Sequence, residues 1–209
     1  MKKLLTALIL FFGLAWAIPI SASCEQKLPV KYQVRFGTET ALVRVVEYFS
    51  LSCPRCLKFL SSEFEELKTR YIDTNAVMWS FHPVPTDLVT LQMMVFMEKM
   101  SADEKKVFLT KIAQKISMSS WDEAPHILKT TAQELGAETG LDLSVDALSQ
   151  TAAFESAYAF FKQKDPITQT PTLEVQERLF ANMPTKQFII KKIEEALASL
   201  KESAHGNVQ

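Results

Sequence analysis

The sequence predicts an α/β fold: a central mixed sheet flanked by helices, with an all-helical insertion between its two halves. Three observations carry this. Residues 42–81 read as strand, helix, strand, with β-branched and aromatic runs on either side of an amphipathic stretch. From Thr86 to about Gln150 no segment has strand character. From Thr172 a strand–strand–helix ending follows. Residues 24–85 and 160–202 are then the two halves of one domain, 86–159 the helical insertion, and 203–209 a flexible polar tail.

Each element has a local reason. Lys31–Phe36 alternates polar and apolar residues and predicts a short strand, turned by Gly37 and Thr38. Leu42–Phe49 is β-branched and aromatic, as a central strand should be. From Pro54 to Tyr71, Leu57, Leu60, Phe64 and Leu67 recur at helical spacing, and Pro54 suits a first turn, where no N–H is needed. Val77–Phe81 predicts a second core strand, closed by Pro83 and Pro85. Leu88–Met100 is Met-rich and helical in spacing. Ser101 and Glu104 form a capping-box signature for the next helix, with Val107, Phe108, Ile112 and Ile116 as its apolar positions.

Ser120–Leu135 predicts another helix, interrupted early by Pro125 and ended by Gly136 and Gly140. Ser144–Lys164 reads as helical, with Leu148, Ala152, Tyr158 and Phe161 facing the core, until Asp165-Pro166 breaks it. Thr172–Val175 and Arg178–Phe180 predict two short strands around an undefined turn at Gln176-Glu177. Pro184 opens a last amphipathic helix, with Phe188, Ile189, Ile193, Leu197 and Leu200 on one face and fraying expected after Lys201.

Lys2 and Lys3, then an uncharged run from Leu4 to Ile20, then Ser21-Ala22-Ser23, have the layout of a cleavable signal peptide over residues 1–23. The run is broken by Gly13 and Pro19 and is short for a membrane span, which needs about 20 residues. Cys24 follows the predicted cut. It is either a lipidation site, which would anchor the chain, or an unpaired exported thiol. Removing residues 1–23 moves the net charge from −1 to −3, so no basic field for nucleic acid exists.

The chemistry lies in Cys53-Pro54-Arg55-Cys56, at the junction of predicted strand and helix. A thiol at a helix N-terminus meets unpaired N–H groups and the positive end of the helix dipole, both of which favour the thiolate that attacks disulfides. Arg55 adds a positive charge expected to push the same way. Zinc binding would need two further ligands, and Cys24, His82, His126 and His205 are scattered. An inert structural bridge closing so short a loop would constrain the unfolded chain little. Redox chemistry is the stronger reading, in an oxidising compartment, with no cofactor beyond the Cys53–Cys56 pair and no metal.

Glu47, between Val46 and Tyr48, is either a solvated strand-end acid or a buried one with a raised pKa, placed to take a proton near Cys56. His82 and His126 read as ordinary packed or surface residues, and Trp121 gains no role. Met93–Met97 reads as core more than as an adaptable peptide surface.

The stretch Val45–Cys56, an acid six residues before the first cysteine, and Thr170-Pro171-Thr172 opening the late strand together resemble the thioredoxin superfamily, and within it the DsbA-type periplasmic thiol–disulfide oxidoreductases. The similarity in organisation covers roughly residues 30–200. It implies a thioredoxin fold, Cys53 as nucleophile, Cys56 as resolving thiol, and Glu47 as buried acid. It also implies that Thr170-Pro171 forms a cis-proline loop offering backbone groups to substrate. Family oxidases usually carry His where this chain has Arg55, and a glycine hairpin where it has Val175–Arg178. The function implied is an exported dithiol oxidase that forms disulfides in reduced secreted proteins, acting as a monomer with a membrane redox partner of the DsbB kind. A reductase or isomerase fed by a DsbD-type donor, or a lipid-anchored binding or chaperone module with a structural CxxC, are the alternatives.

Overall fold

The computed structural model describes residues 27–137, 140–163, 165–181 and 185–206. The signal peptide and Cys24 expected from the sequence lie outside the described residues. Five strands form one sheet: β1 (Val34–Phe36), β2 (Val43–Phe49), β3 (Val77–Pro83), β4 (Thr172–Val175) and β5 (Arg178–Phe180), in the order β1-β3-β2-β4-β5. β2 and β3 are parallel, and the other neighbours are antiparallel. This is a mixed sheet of the thioredoxin kind. Every residue of β3 is buried, because helices cover both faces of the sheet centre.

The β2–β3 crossover is a helical rod: α1 (Pro54–Lys58), a π-helical segment (Phe59–Glu63), α2 (Phe64–Leu67) and a second π-helical segment (Lys68–Ile72). Its Phe59 and Phe64 pack on Trp79 and Phe81 of β3. The Phe59 and Trp79 rings are stacked at 5.6 Å, and Phe64 meets Phe81 edge-on at 4.8 Å. Gly37, at φ 88°, turns the chain after β1, where a Cβ would lie 2.8 Å from the Val77 carbonyl.

Between β3 and β4 stand α3 (Leu88–Met97), α4 (Ala102–Ser117), α5 (Ala124–Glu134), α6 (Val145–Leu148) and α7 (Ala152–Phe161). Met93, Met94 and Met97 are fully buried, so the methionine stretch is core. The Ser101–Glu104 capping box is formed in both directions. α8 (Lys186–Gly206) closes the chain, tied to the crossover rod by Arg70 and Tyr71, which both donate to Glu194.

Several local expectations are corrected. Residues 30–32 form a 3-10 turn instead of the start of a strand; this turns the buried Tyr32 hydroxyl onto Glu98. Pro125 does not interrupt a helix but sits in the first turn of α5, after a 3-10 turn at Trp121–Glu123. The segment 144–164 is two helices, since Thr151 caps a new one by accepting from Phe154 N. That restart shifts the phase: Ala153, Ala157 and Phe160 are buried, while Ala152 and Tyr158 face outward. Val107 is exposed, one position off the buried face of Phe108 and Ile112, and Leu200 is also exposed. α8 continues past Lys201, so residues 203–206 of the expected tail are helical.

Candidate active site

β2 runs into the turn Ser50–Ser52, and α1 begins at once. Cys53 is the N-cap residue, with extended φ/ψ of −89° and 107°, and its sulfur accepts a hydrogen bond from Cys56 N at 3.3 Å. Pro54 fills the first helical position. Both cysteines are free thiols, Cys53 partly exposed and Cys56 fully buried. One turn of helix therefore makes one sulfur accessible and hides the other.

The antiparallel pairing of Tyr48 with Thr172 brings the segment preceding β4 beside the end of β2. Thr170 and Pro171 thus lie against the CxxC, although they are more than a hundred residues away. The Thr170–Pro171 bond is cis. The Cys53 thiol donates to the Thr170 carbonyl at 3.4 Å.

Hydrogen bonding sets the electrostatics. The Cys53 thiol is lowered from 9.0 to about 6, first by its bond with the Cys56 side chain, then by the Cys56 backbone N–H, the Thr170 side chain and the Arg55 backbone N–H; partial burial opposes them. The Cys56 thiol is pushed far up, by burial first and then by its hydrogen bond with Cys53 and the charge of Glu47. Arg55 serves the thiolate through its backbone N–H. Its side chain is exposed and makes no hydrogen bond or ion pair with any described residue.

Glu47 is the buried acid. Strand alternation puts it on the same face as the buried Val43, Val45 and Phe49. Neither carboxylate oxygen has a hydrogen-bond partner. Burial, then the charges of Cys53 and Glu63, raise its pKa well above the ordinary value. Glu47 and Cys56 thus hold protons that a neutral-pH surface acid and a thiolate would not.

Asp87, which no active-site motif marks, supports the turn before Cys53. Asp87 caps α3 by accepting from Thr90 N at 2.7 Å, and its second oxygen accepts from the hydroxyls of Ser50 (2.6 Å), Thr90 (2.7 Å) and Ser52 (3.0 Å). Thr90 Oγ1 in turn accepts from Leu51 N at 2.9 Å. The first helix of the insertion thereby fixes the turn that delivers Cys53. Asp87 ahead of an apolar run signals a cap; its long-range bonds to Ser50 and Ser52 leave no sequence mark.

His82 is a packed core residue. Its Nε2 accepts from Leu28 N at 2.7 Å, its Nδ1 bonds the Pro83 carbonyl at 2.9 Å, and burial lowers its pKa to about 4. Among the described residues no three His, Cys, Asp or Glu side chains are grouped to hold a metal ion. Nor is any described helix long and apolar enough to cross a membrane.

A thioredoxin family model (Thioredoxin_4) matches residues 30–195. The chain belongs to the thioredoxin family. Its fold is that of solved DsbA-type structures within it. Bacillus subtilis BdbD superposes with a TM-score of 0.63 at 24% identity, over 82% of this chain and 96% of that one. Wolbachia pipientis alpha-DsbA1 gives 0.66 at 18% identity, over 85% of this chain and 96% of that one. A Rickettsia bellii protein provisionally named a protein-disulfide oxidoreductase is 39% identical over 70 residues, which are 29% of this chain and 27% of that protein. The match spans only about a quarter of that curated relative's length.

Proposed function

We propose that this thioredoxin-family chain is an exported dithiol oxidase that places disulfides in reduced secreted or envelope proteins. The observation that carries the reading is the Cys53 thiol held at about 6 on an accessible helix N-terminus, beside a buried partner thiol. A thiol–disulfide pair oxidises more strongly the better its reduced thiolate is stabilised. The direction agrees with DsbA, whose active-site cysteine pKa is strongly depressed.

In the reaction, a substrate thiolate attacks Cys53 Sγ of the Cys53–Cys56 disulfide. A substrate–Cys53 bond forms, and Cys56 leaves and takes up a proton, for which the nearby Glu47 carboxyl is the donor. The substrate's second thiolate then attacks its own bonded sulfur and expels Cys53 as thiolate. Two electrons pass from substrate to enzyme. A membrane partner of the DsbB kind would remove them. Export by residues 1–23 to the periplasm, with Cys24 as an optional anchor, completes the reading.

The test is the redox equilibrium of Cys53–Cys56 in the purified protein against glutathione buffers. A disulfide more oxidising than the glutathione pair supports the oxidase. A strongly reducing one would move the assignment to a reductase.

A further inference from the structure

A second feature beside the site concerns which substrates it takes. Arg55, Lys58 and Lys186, with Glu63 as the one acid, line a cavity of about 630 Å³ that runs from the first turn of α1 to Thr185 at the start of α8, floored by Phe59. Lys58 lies 3.8 Å from Glu63, and Lys186 lies 2.5 Å from Glu66. The guanidinium of Arg55 has no such partner among the described residues, and it stands two positions from the nucleophile. With Lys58 and Lys186 each facing an acid, the Arg55 guanidinium supplies the uncompensated positive charge of this lining.

We propose that this cavity binds an acidic side chain flanking the attacking cysteine of a reduced polypeptide, with Arg55 as the specificity-determining residue. The inference rests on the oxidase reading. Its chemistry is direct. A carboxylate beside a cysteine raises that cysteine's pKa and lowers the fraction present as attacking thiolate. A guanidinium facing the carboxylate offsets that penalty and adds an ion pair in the encounter complex. Substrates that would otherwise react slowly are the ones the cavity favours.

The experiment compares two reduced dithiol peptides that differ only in carrying Glu or Lys next to the first cysteine. The rate of reduction of the Cys53–Cys56 disulfide in the full chain is measured by acid quench and thiol alkylation. At low ionic strength the Glu peptide should react about five times faster, the scale of an exposed ion pair gained against one repelled, and the difference should shrink in high salt. Arg55→Glu should invert the ratio and Lys186→Gln should reduce it. Both residues are at the surface, and a ratio taken within one variant cancels any change in redox potential. Equal rates for the two peptides, or a ratio untouched by Arg55→Glu, overturn this inference alone. Oxidation of neither peptide overturns the oxidase reading and this inference with it.

Discussion

Cys53 donates a hydrogen bond to the backbone carbonyl of Thr170 at 3.4 Å across 117 residues of chain. The contact depends on β2 and β4 pairing antiparallel, Tyr48 against Thr172, because that register leaves the preceding loop over the helix N-terminus. Cys53 thus sits between two backbone sources: the Cys56 N–H of its own helix, which donates to its sulfur, and the loop from the other half of the domain, whose Thr170 carbonyl accepts from it.

The Cys56 side chain is the first cause of the lowered Cys53 pKa. Cys56→Ala should therefore move Cys53 up from about 6 toward the ordinary value of 9.0. The pH dependence of alkylation by iodoacetamide measures this, and an unmoved midpoint would refute the assignment. The linkage has a definite sign. A depressed acid stabilises the reduced fold above its unfolded pKa and loses that contribution as pH falls through the folded one. Denaturant unfolding of the reduced protein should show this group's contribution shrinking from pH about 9 to about 6.

Glu47 has no hydrogen-bond partner, and its raised pKa means that neutral pH favours the unfolded state, in which the acid ionises freely. Glu47→Leu should stabilise the protein at neutral pH by about 1–3 kcal/mol, the usual cost of an unsatisfied buried polar group. The gain should diminish as pH falls toward about 4.3 and level off below it, where Glu is protonated in both states. The same variant should slow exchange, since protonation of the leaving Cys56 loses its donor. A variant that is both less stable and equally fast would contradict the assignment.

Asp87→Ala removes a helix cap and leaves the buried Ser50 hydroxyl without its closest acceptor. The expected loss is about 2–4 kcal/mol, combining about 1 for the cap with about 1–3 for the orphaned group. Ser52→Ala, which deletes an exposed bond to Asp87 and a bond to the Ser50 hydroxyl that Ser50 can replace with Asp87, should cost about 1 kcal/mol. Equal losses in urea unfolding would mean that Asp87 acts only through its cap.

Gln176 and Glu177 both have positive φ, 48° and 65°, in the two-residue turn between β4 and β5. Such a turn favours glycine. Glu177→Gly should raise stability by about 0.5–1 kcal/mol by removing a left-handed non-glycine residue, less the extra entropy of the unfolded chain. That corresponds to a Tm gain of about 1–4 °C for a domain of this size. Gln176 should be kept, because its side chain accepts from Arg44 N at 3.1 Å and ties the turn to β2.

The sequence by itself determined the order of elements and picked out the candidate redox residues. Two thiols at a strand–helix junction, an acid at an odd position of β2, and a proline before β4 are all local, and local pattern sets strand alternation, helix caps and which cysteine opens the helix. It could not determine phase where a helix restarts, so the spacing points Ala152 and Tyr158 inward while Ala153 and Phe160 are the buried ones. Whether Glu47 is solvated or buried, and which groups bond the Cys53 sulfur, turned on what lies within a few ångströms across the fold. Only tertiary structure decided these, because burial and hydrogen bonding depend on strand register and helix packing, and those bring together Cys53 with Thr170 and Ser50 with Asp87, residues that no periodicity links.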